Sequence, residues 1–386
     1  MTTSVNARLR QPAWEPSLFP LDEPAAALIV GRLRLDALQA REAGGAVDVP
    51  VNQVLPAGTQ VAWAADAVFS RATLAALKDA AAAHGGIVQA AVKRGTPLWR
   101  SATRLLDVEG IADNGSLRLP LWAGPMGGRL AVVSGDAVDA FPDAVALSVC
   151  DEDSAVCVRV PPYGRPPHVV EIPSVSKLGG RLLHWLHLLE LSLAALASER
   201  RALGLTGGRN RFYGNVDIHP TATVIGSILE DGVKVEPHAS VIDSWLGRGV
   251  LVADHSVVHT SVIADRCRSL VDTSLRRVVA MGGSTLSNLG FSDSVIGRDV
   301  FLTTSVATFA APHQCARVDG KDTGRALLGA AIGARCVLGS RCLLQAGTAL
   351  PPGLLVVARP EEAAGKLDDD GLARATMQRG DRTKQA

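Results

Sequence analysis

The polar segment FAAPHQCARVDGKDTGRAL (309–327) contains the side chains best suited to chemistry. Its histidine, His313, could act as a general base, because an imidazole titrates near neutral pH and can take a proton from an amine or a hydroxyl. Asp319, Lys321 and Thr323 follow closely in the chain. An ordinary polar surface loop is the alternative interpretation of the same residues.

A second group of histidines raises the question of a metal site. His255 follows His238 by seventeen positions, and His259 follows His255 by four positions in VADHSVVHTSV. Imidazole nitrogens are common zinc ligands, so these three histidines are candidate zinc ligands. A histidine ladder that faces solvent at a turn of a repeat is the simpler alternative.

An internal repeat must position these side chains. ATVIGSILEDGV (222–233) returns as ASVIDSWLGRGV (239–250), and the apolar column Val224, Val241 and Val258 keeps the same interval of seventeen positions. Nearer the C-terminus the apolar step is six positions, through Ile332, Leu338, Leu344 and Leu350. A helix has a period of 3.6 and a single strand a period of 2, so neither explains these intervals.

Three short strands in each repeat, each ending at a corner, would explain the period. Successive coils of this kind stack and bury identical columns of side chains. The pattern therefore predicts an all-β, parallel β-helix of hexapeptide repeats over about 211–360. The register fails at Leu270–Ser294 and again at Phe309–Leu327, and the second failure predicts a loop extruded from the coil.

The N-terminal part has a different pattern, which predicts an α/β domain over 1–176. Ser70–Gly86 has a serine N-cap, an alanine-rich body and a Gly-Gly stop, so a helix is expected there, followed by the strand IVQAAV. The leucine-rich segment 177–204 predicts an amphipathic helix that links the two domains and caps the β-helix. A charged C-terminal tail is expected at 361–386.

Composition limits the partners that this chain could have. Lys and Arg number 39 against 38 Asp and Glu, so there is no basic excess for nucleic-acid binding. The N-terminal residues have no apolar signal-peptide core and the chain has no membrane-spanning apolar run, so we expect a soluble, cytoplasmic protein. Cys267, Cys336 and Cys342 occupy small-residue positions of the repeat and are expected to fill the core.

The sequence also resembles a known family. The VIGSI and VIDSW coils, together with VDGKDTGRALLGAAIGARCVLGSRCLLQAGTALPPG (318–353), are similar to bifunctional N-acetylglucosamine-1-phosphate uridylyltransferase/glucosamine-1-phosphate acetyltransferases. LFPLDEPAAALIVGRLRLDALQAR resembles the N-terminal segment of a divergent branch of the same enzymes. The likeness covers most of the chain, and its specific part is the β-helix. The resemblance implies that this β-helix is left-handed.

The resemblance implies a transferase that uses acetyl-CoA as co-substrate. The acceptor would be a sugar phosphate or an amino sugar, with His313 as base and with Asp319, Gly320, Lys321 and Thr323 in binding roles. It also implies a homotrimer, because flat β-helix faces pack side by side in this family. The alternatives are a non-catalytic scaffold or regulatory subunit and a zinc-dependent, carbonic anhydrase-like β-helix with His238, His255 and His259 as candidate ligands.

The N-terminal domain departs from the family's nucleotidyltransferase pattern. Those enzymes hold a triphosphate with a glycine-rich loop and nearby Arg and Lys, whereas this chain has PLDEPAAAL at the matching place. Neither Asp66 nor Asp107 stands out as a metal-binding carboxylate. We therefore expect a degenerate nucleotidyltransferase-like domain without pyrophosphorylase activity.

Overall fold

The computed structural model describes residues 5–10, 17–50, 52–103, 105, 115–131, 137–150, 154–160, 168–310 and 315–357. The chain divides into two compact units: unit 1 is Met1–Leu18 with Glu23–Leu203, and unit 2 is Phe19–Asp22 with Gly204–Ala386. Within the described ranges, no helix combines the length and the apolar character needed to cross a membrane. The tail predicted at 361–386 lies outside these ranges, and the domain limits drawn from the sequence stay predictions.

Unit 1 is built from strands and helices together. Its helices are α1 (Leu35–Ala43), α2 (Arg71–His84), α3 (Pro97–Ala102) and α4 (Trp185–Ala202). Its strands are β1 (Val5–Arg10), β2 (Ser17–Leu18), β3 (Glu23–Pro24), β4 (Ile29–Val30), β5 (Leu33–Arg34), β6 (Val47–Pro50), β7 (Thr59–Ala64), β8 (Ala67–Phe69), β9 (Val88–Val92), β10 (Leu117–Ala123), β11 (Val145–Cys150), β12 (Ala155–Val160), β13 (His168–Pro173) and β14 (Gly179–Arg181).

A mixed sheet of the order β11-β9-β10-β7-β1-β6 is the centre of unit 1. The strand β10 runs antiparallel to both of its neighbours, and the remaining pairs are parallel. Trp122 of β10 is fully buried and packs edge-on against Phe141, with ring centroids 5.2 Å apart. The nucleotidyltransferase-like character of this unit stays a prediction.

Two helices of unit 1 were predicted from the sequence. The helix expected at 70–86 is α2: the Ser70 hydroxyl accepts a hydrogen bond from the Thr73 N–H, and Gly85 ends the helix with φ of +73°. The helix expected over 177–204 begins only at Trp185, where His184 caps it. Residues 179–181 instead pair with β8 as an antiparallel strand, so the predicted start was wrong.

Unit 2 is a stack of short strands, which pair in parallel except in the hairpin formed by Arg317–Val318 and Lys321–Asp322. They are β15 (Arg211–Phe212), β16 (Asp217–Ile218), β17 (Thr223–Ile225), β18 (Ile228–Leu229), β19 (Lys234–Val235), β20 (Ser240–Ile242), β21 (Trp245–Leu246), β22 (Leu251–Val252), β23 (Val257–His259), β24 (Val262–Ile263), β25 (Arg268–Ser269), β26 (Ser274–Ala280), β27 (Thr285–Leu286), β28 (Gly290–Ile296), β29 (Phe301–Leu302), β30 (Ala307–Phe309), β31 (Arg317–Val318), β32 (Lys321–Asp322), β33 (Ala331–Ile332), β34 (Val337–Leu338), β35 (Leu343–Gln345), β36 (Ala349–Leu350) and β37 (Leu355–Val356).

The register of these strands follows the period of the sequence. Val224 pairs with Val241 and Val241 with Val258, in parallel strands of successive coils. A second sheet, β16-β19-β22-β25-β27-β29-β34-β37, runs along another face of the stack. The long parallel sheets are those of a parallel β-helix, and its left-handed sense stays a prediction.

The first expected break in the repeat does not occur. Across Leu270–Ser294 the coil continues, because Val258 pairs with Leu275 and Leu275 with Phe291. The second of these steps is one position shorter than the first, and the side chains of Leu275 and Phe291 are buried in the common core. One shortened coil therefore shifts the apolar columns, and the break predicted at Leu270–Ser294 was wrong.

The second expected break is a real insertion. Val295 pairs with Ala331, about twice as far along the chain as a normal step of the repeat. From Ala331 the coil resumes and pairs with Ala349. The segment between β30 and β33 is therefore extruded from the stack, as the sequence predicted.

Candidate functional site

The extruded segment forms a small hairpin. Strands β31 and β32 pair antiparallel, with Val318 opposite Lys321. Between them Asp319 and Gly320 have φ of +49° and +78°. Two consecutive left-handed residues make the primed turn that joins strands tightly, and Asp-Gly is a preferred sequence for it. The backbone geometry alone therefore accounts for these two residues, although both are exposed at the tip.

Thr323 lies at the base of the hairpin and is buried. Its backbone N–H and its hydroxyl both donate to the Ala316 carbonyl, at 3.0 and 2.6 Å. Its hydroxyl oxygen also accepts a hydrogen bond from the Arg325 N–H at 3.2 Å. These bonds close the hairpin and give Thr323 a structural role, while its predicted binding role stays a prediction. Of the four predicted binding residues, Asp319, Gly320 and Lys321 lie together at the exposed tip.

A buried ion cluster anchors the hairpin to the coil. The Asp293 carboxylate is fully buried and accepts hydrogen bonds from Arg277 Nε and Nη2 at 2.9 and 2.6 Å. Arg325 Nη2, from the extruded segment, donates to the same carboxylate at 2.5 Å, and Arg325 Nε donates to the Leu327 carbonyl. The guanidinium side chains are only 5% and 8% exposed. Charge-assisted bonds in such an environment are strong and directional, so they fix where the hairpin lies.

This cluster was not predicted from the sequence. Arg277 is the second arginine of SLRRVVA and Asp293 lies in FSDSV, in the stretch where the repeat seemed to end. The two residues lie at matching corners of successive coils. A repeat one position shorter than seventeen, applied to this stretch, would have aligned them. Arg325, far along the chain from Asp293, has no local signal that marks it as a partner.

His313 lies outside the described residues, so its role stays a prediction. Ala310 and Cys315 border the undescribed positions. The Ala310 carbonyl accepts a hydrogen bond from the Leu328 N–H at 2.9 Å. Cys315 is exposed. Ala310 therefore lies beside Leu328, where the coil resumes after the hairpin, and Cys315 shortly precedes strand β31.

The structure brings two of the three metal-candidate histidines together. The rings of His238 and His255 are stacked, with centroids 5.1 Å apart. Both residues occupy left-handed corners, whereas His259 lies on strand β23 and its Nδ1 is 3.0 Å from the Thr260 hydroxyl. In the part of the chain that the structure describes, no group of three or more His, Cys, Asp and Glu could hold a metal.

In unit 1 the carboxylate considered for a metal is engaged in an ion pair. Arg181 Nε donates to Asp66 Oδ2 at 2.8 Å, and both side chains are almost fully buried. The second carboxylate considered, Asp107, lies outside the described residues. This geometry gives Asp66 a structural role in joining β14 to the β7–β8 region.

No family model and no curated protein matches this chain. Among solved structures it is similar to PerB from Caulobacter crescentus in complex with CoA and GDP-perosamine, with 16% identity and a TM-score of 0.16. That match covers 38% of this chain and 56% of the other. A mutant GDP-perosamine N-acetyl transferase from the same organism, also with CoA and GDP-perosamine, matches with 20% identity and a TM-score of 0.16 over 44% of this chain and 65% of that one. The chain thus spans less than two thirds of either protein, and TM-scores this low identify neither its fold nor its activity.

Proposed function

We propose that unit 2 is an acyltransferase that moves an acetyl group from acetyl-CoA to a sugar phosphate or an amino sugar. The observation that carries this proposal is the anchored hairpin: Arg325 fixes it to the buried Asp293, and it presents Lys321 at an exposed tip. His313 precedes this hairpin by a few residues. The family resemblance of 318–353 supports the same activity.

The proposed reaction needs a base and a cation. The His313 imidazole would take the proton from the amine or hydroxyl of the acceptor. At the same time the nitrogen or oxygen of the acceptor would bond to the acetyl carbonyl carbon. The carbon–sulfur bond then breaks, and the proton passes to the sulfur, so CoA leaves as the thiol. Lys321 would attract phosphate groups as a point charge. The resemblance adds that the active form is a homotrimer, and the proposed location, from the N-terminal residues, is the cytoplasm.

A non-catalytic scaffold is the second candidate, and one observation favours it. Asp319 and Gly320 are explained by the turn that they form, and Thr323 by the hydrogen bonds that close the hairpin. Three of the four residues assigned to binding thus have a structural reason to be present. Lys321 and His313 are the residues that separate the two candidates.

Product detection by mass spectrometry, with acetyl-CoA and a panel of sugar phosphates and amino sugars, tests the proposal. We expect His313→Ala to lower kcat about 100-fold to 10,000-fold, the usual contribution of a general base. Lys321→Ala should raise the KM for acetyl-CoA or the sugar phosphate. His219→Ala is the matched control, since the side chain of this exposed histidine contacts only its neighbour Thr221 among the bonds seen.

Each result favours one candidate. The acyltransferase proposal is supported if the His219→Ala variant keeps the acetylation activity of the wild type and the His313→Ala variant loses it. If the wild-type protein neither acetylates any acceptor nor binds acetyl-CoA, the scaffold is the better proposal. Equal activity of wild type and His313→Ala would exclude this histidine as the base.

A further inference from the structure

Unit 1 contains a cavity of about 400 Å³ that has no part in the proposed function. It lies among the β4–β5 turn, α1, the first turn of α2 and the second half of α4. The buried side chains of Leu38, Phe69 and Leu178 give it an apolar wall. Its volume falls within the usual range for small-molecule sites, roughly 300–1,000 Å³.

The chain places one arginine in this cavity by a tight backbone contact. Gly31 has φ of +63°, and a Cβ at this position would lie 3.0 Å from Cβ of Ala195 on α4. The Ser192 hydroxyl donates to the Ile29 carbonyl at 2.9 Å and holds β4 against the same helix. The β4–β5 turn therefore lies directly on α4, which brings Arg32 into the cavity wall beside Glu199.

Glu199 lies between two guanidinium groups at long distances. Its Oε1 is 3.6 Å from Arg32 Nε and 3.8 Å from Arg41 Nη1. Charge-assisted hydrogen bonds between guanidinium and carboxylate are commonly about 2.7–2.9 Å long. The guanidinium groups of Arg32 and Arg41 thus face the same carboxylate position.

The cavity also has an excess of positive charge. The Glu42 carboxylate binds Arg41 and accepts a hydrogen bond from the Arg71 N–H at 2.6 Å, at the first turn of α2. Among the described residues of the cavity wall, Arg32, Arg41 and Arg71 face only Glu42 and Glu199 as acids. One positive charge thus remains beside an apolar wall.

We propose that this cavity binds a small organic anion with an apolar body and a single phosphate or carboxylate head. The head would lie between Arg32 and Arg41, where the Glu199 carboxylate now lies, and the body would pack against Leu38 and Phe69. Arginine pairs suit this role because their planar groups bind phosphate and carboxylate oxygens in a bidentate way. This inference does not depend on the acyltransferase proposal.

Isothermal titration calorimetry on the full chain, with hexyl phosphate as probe, tests the site. We expect saturable binding that Arg32→Gln and Arg41→Gln weaken by roughly tenfold or more, since each removes one charged hydrogen bond. Glu199→Gln should strengthen binding, because the internal competitor for both arginines is neutralised. Arg34→Gln is the matched control: this arginine follows in the same hairpin but is paired with Asp36 and lies outside the cavity wall.

The probes also separate head from body. Hexanoate in place of hexyl phosphate shows which head is preferred, and inorganic phosphate shows whether the body contributes. Equal binding of the neutral hexanol would overturn the proposal, because the arginines would then have no part in recognition. The proposal would also be overturned if neither hexyl phosphate nor hexanoate showed saturable binding. Weaker binding of hexyl phosphate to Glu199→Gln than to the wild type would overturn it as well.

Discussion

Replacing Asp293 with Asn should strongly destabilise unit 2. The substitution keeps the size of the side chain but removes the charge that both Arg277 and Arg325 approach within 2.5–2.9 Å. Two guanidinium groups would then remain buried without their counter-charge. Breaking a buried ion pair from one side costs about 3–5 kcal/mol, a large share of the roughly 5–15 kcal/mol that holds a domain folded.

Urea unfolding followed by circular dichroism measures this cost, and hydrogen exchange of peptides that cover β28 assigns it to the coil. Asp272→Asn is the matched control, because Asp272 is also a left-handed corner residue, with φ of +61°, but is exposed. We expect it to change the free energy of unfolding by no more than about 0.5 kcal/mol. A cost below about 1 kcal/mol for Asp293→Asn would refute the reasoning, because it falls well short of the usual cost of an uncompensated buried charge.

A second variant separates anchoring of the hairpin from stability of the coil. Arg325→Met leaves Asp293 paired with Arg277, so the coil should stay folded. The amides of Ala316 and Thr323, which hydrogen-bond within the hairpin, should exchange faster. Unchanged protection of these two amides would mean that Arg325 does not hold the hairpin.

Two further predictions concern cysteine reactivity and a close backbone contact. Burial raises the pKa of the Cys267 thiol to about 12 and also raises that of Cys336. The thiolate is the nucleophile, so iodoacetamide should modify neither thiol in the native protein. It should label the exposed Cys157 and Cys315, and peptide mass spectrometry detects the labelled positions. Labelling of Cys267 before unfolding would contradict this. Gly347 has φ of +80° and any Cβ there would overlap the Arg317 carbonyl, so Gly347→Ala should cost about 1–3 kcal/mol in urea unfolding and displace the hairpin. Gly353→Ala, at φ of +70° with open space around it, should cost less, and equal costs would show that the contact with Arg317 does not matter.

The coil could be predicted from the sequence because its signal is repeated. Val224, Val241 and Val258 recur at a fixed interval, and the strands that contain them pair in that register. One shortened coil was enough to hide the same signal between Val258 and Phe291. Periodicity therefore identifies a stacked architecture well but misreads a change in the length of one repeat.

The site was harder to predict because its residues depend on contacts between distant positions. Asp319 and Gly320 were assigned to binding, although an Asp-Gly pair between short polar strands is also the signature of a hairpin turn. Arg325 reaches Asp293 only because the extruded segment folds back on the coil. No local pattern in the sequence indicates that this segment folds back on the coil.

The ion cluster follows from one corner of the coil. Left-handed residues occupy this corner in successive coils, at Gly226, Asp243, Thr260, Arg277 and Asp293, with φ between +49° and +61°. Asp243 is only partly buried, Thr260 is 7% exposed, and Asp293 has no exposed surface. Stacked corners place Arg277 directly beside Asp293, and an arginine in this conformation is unfavourable for its backbone. The bidentate bond to Asp293 offsets that cost. Arg325, from the extruded segment, completes the cluster. The corner is therefore buried where the extruded segment leaves the coil.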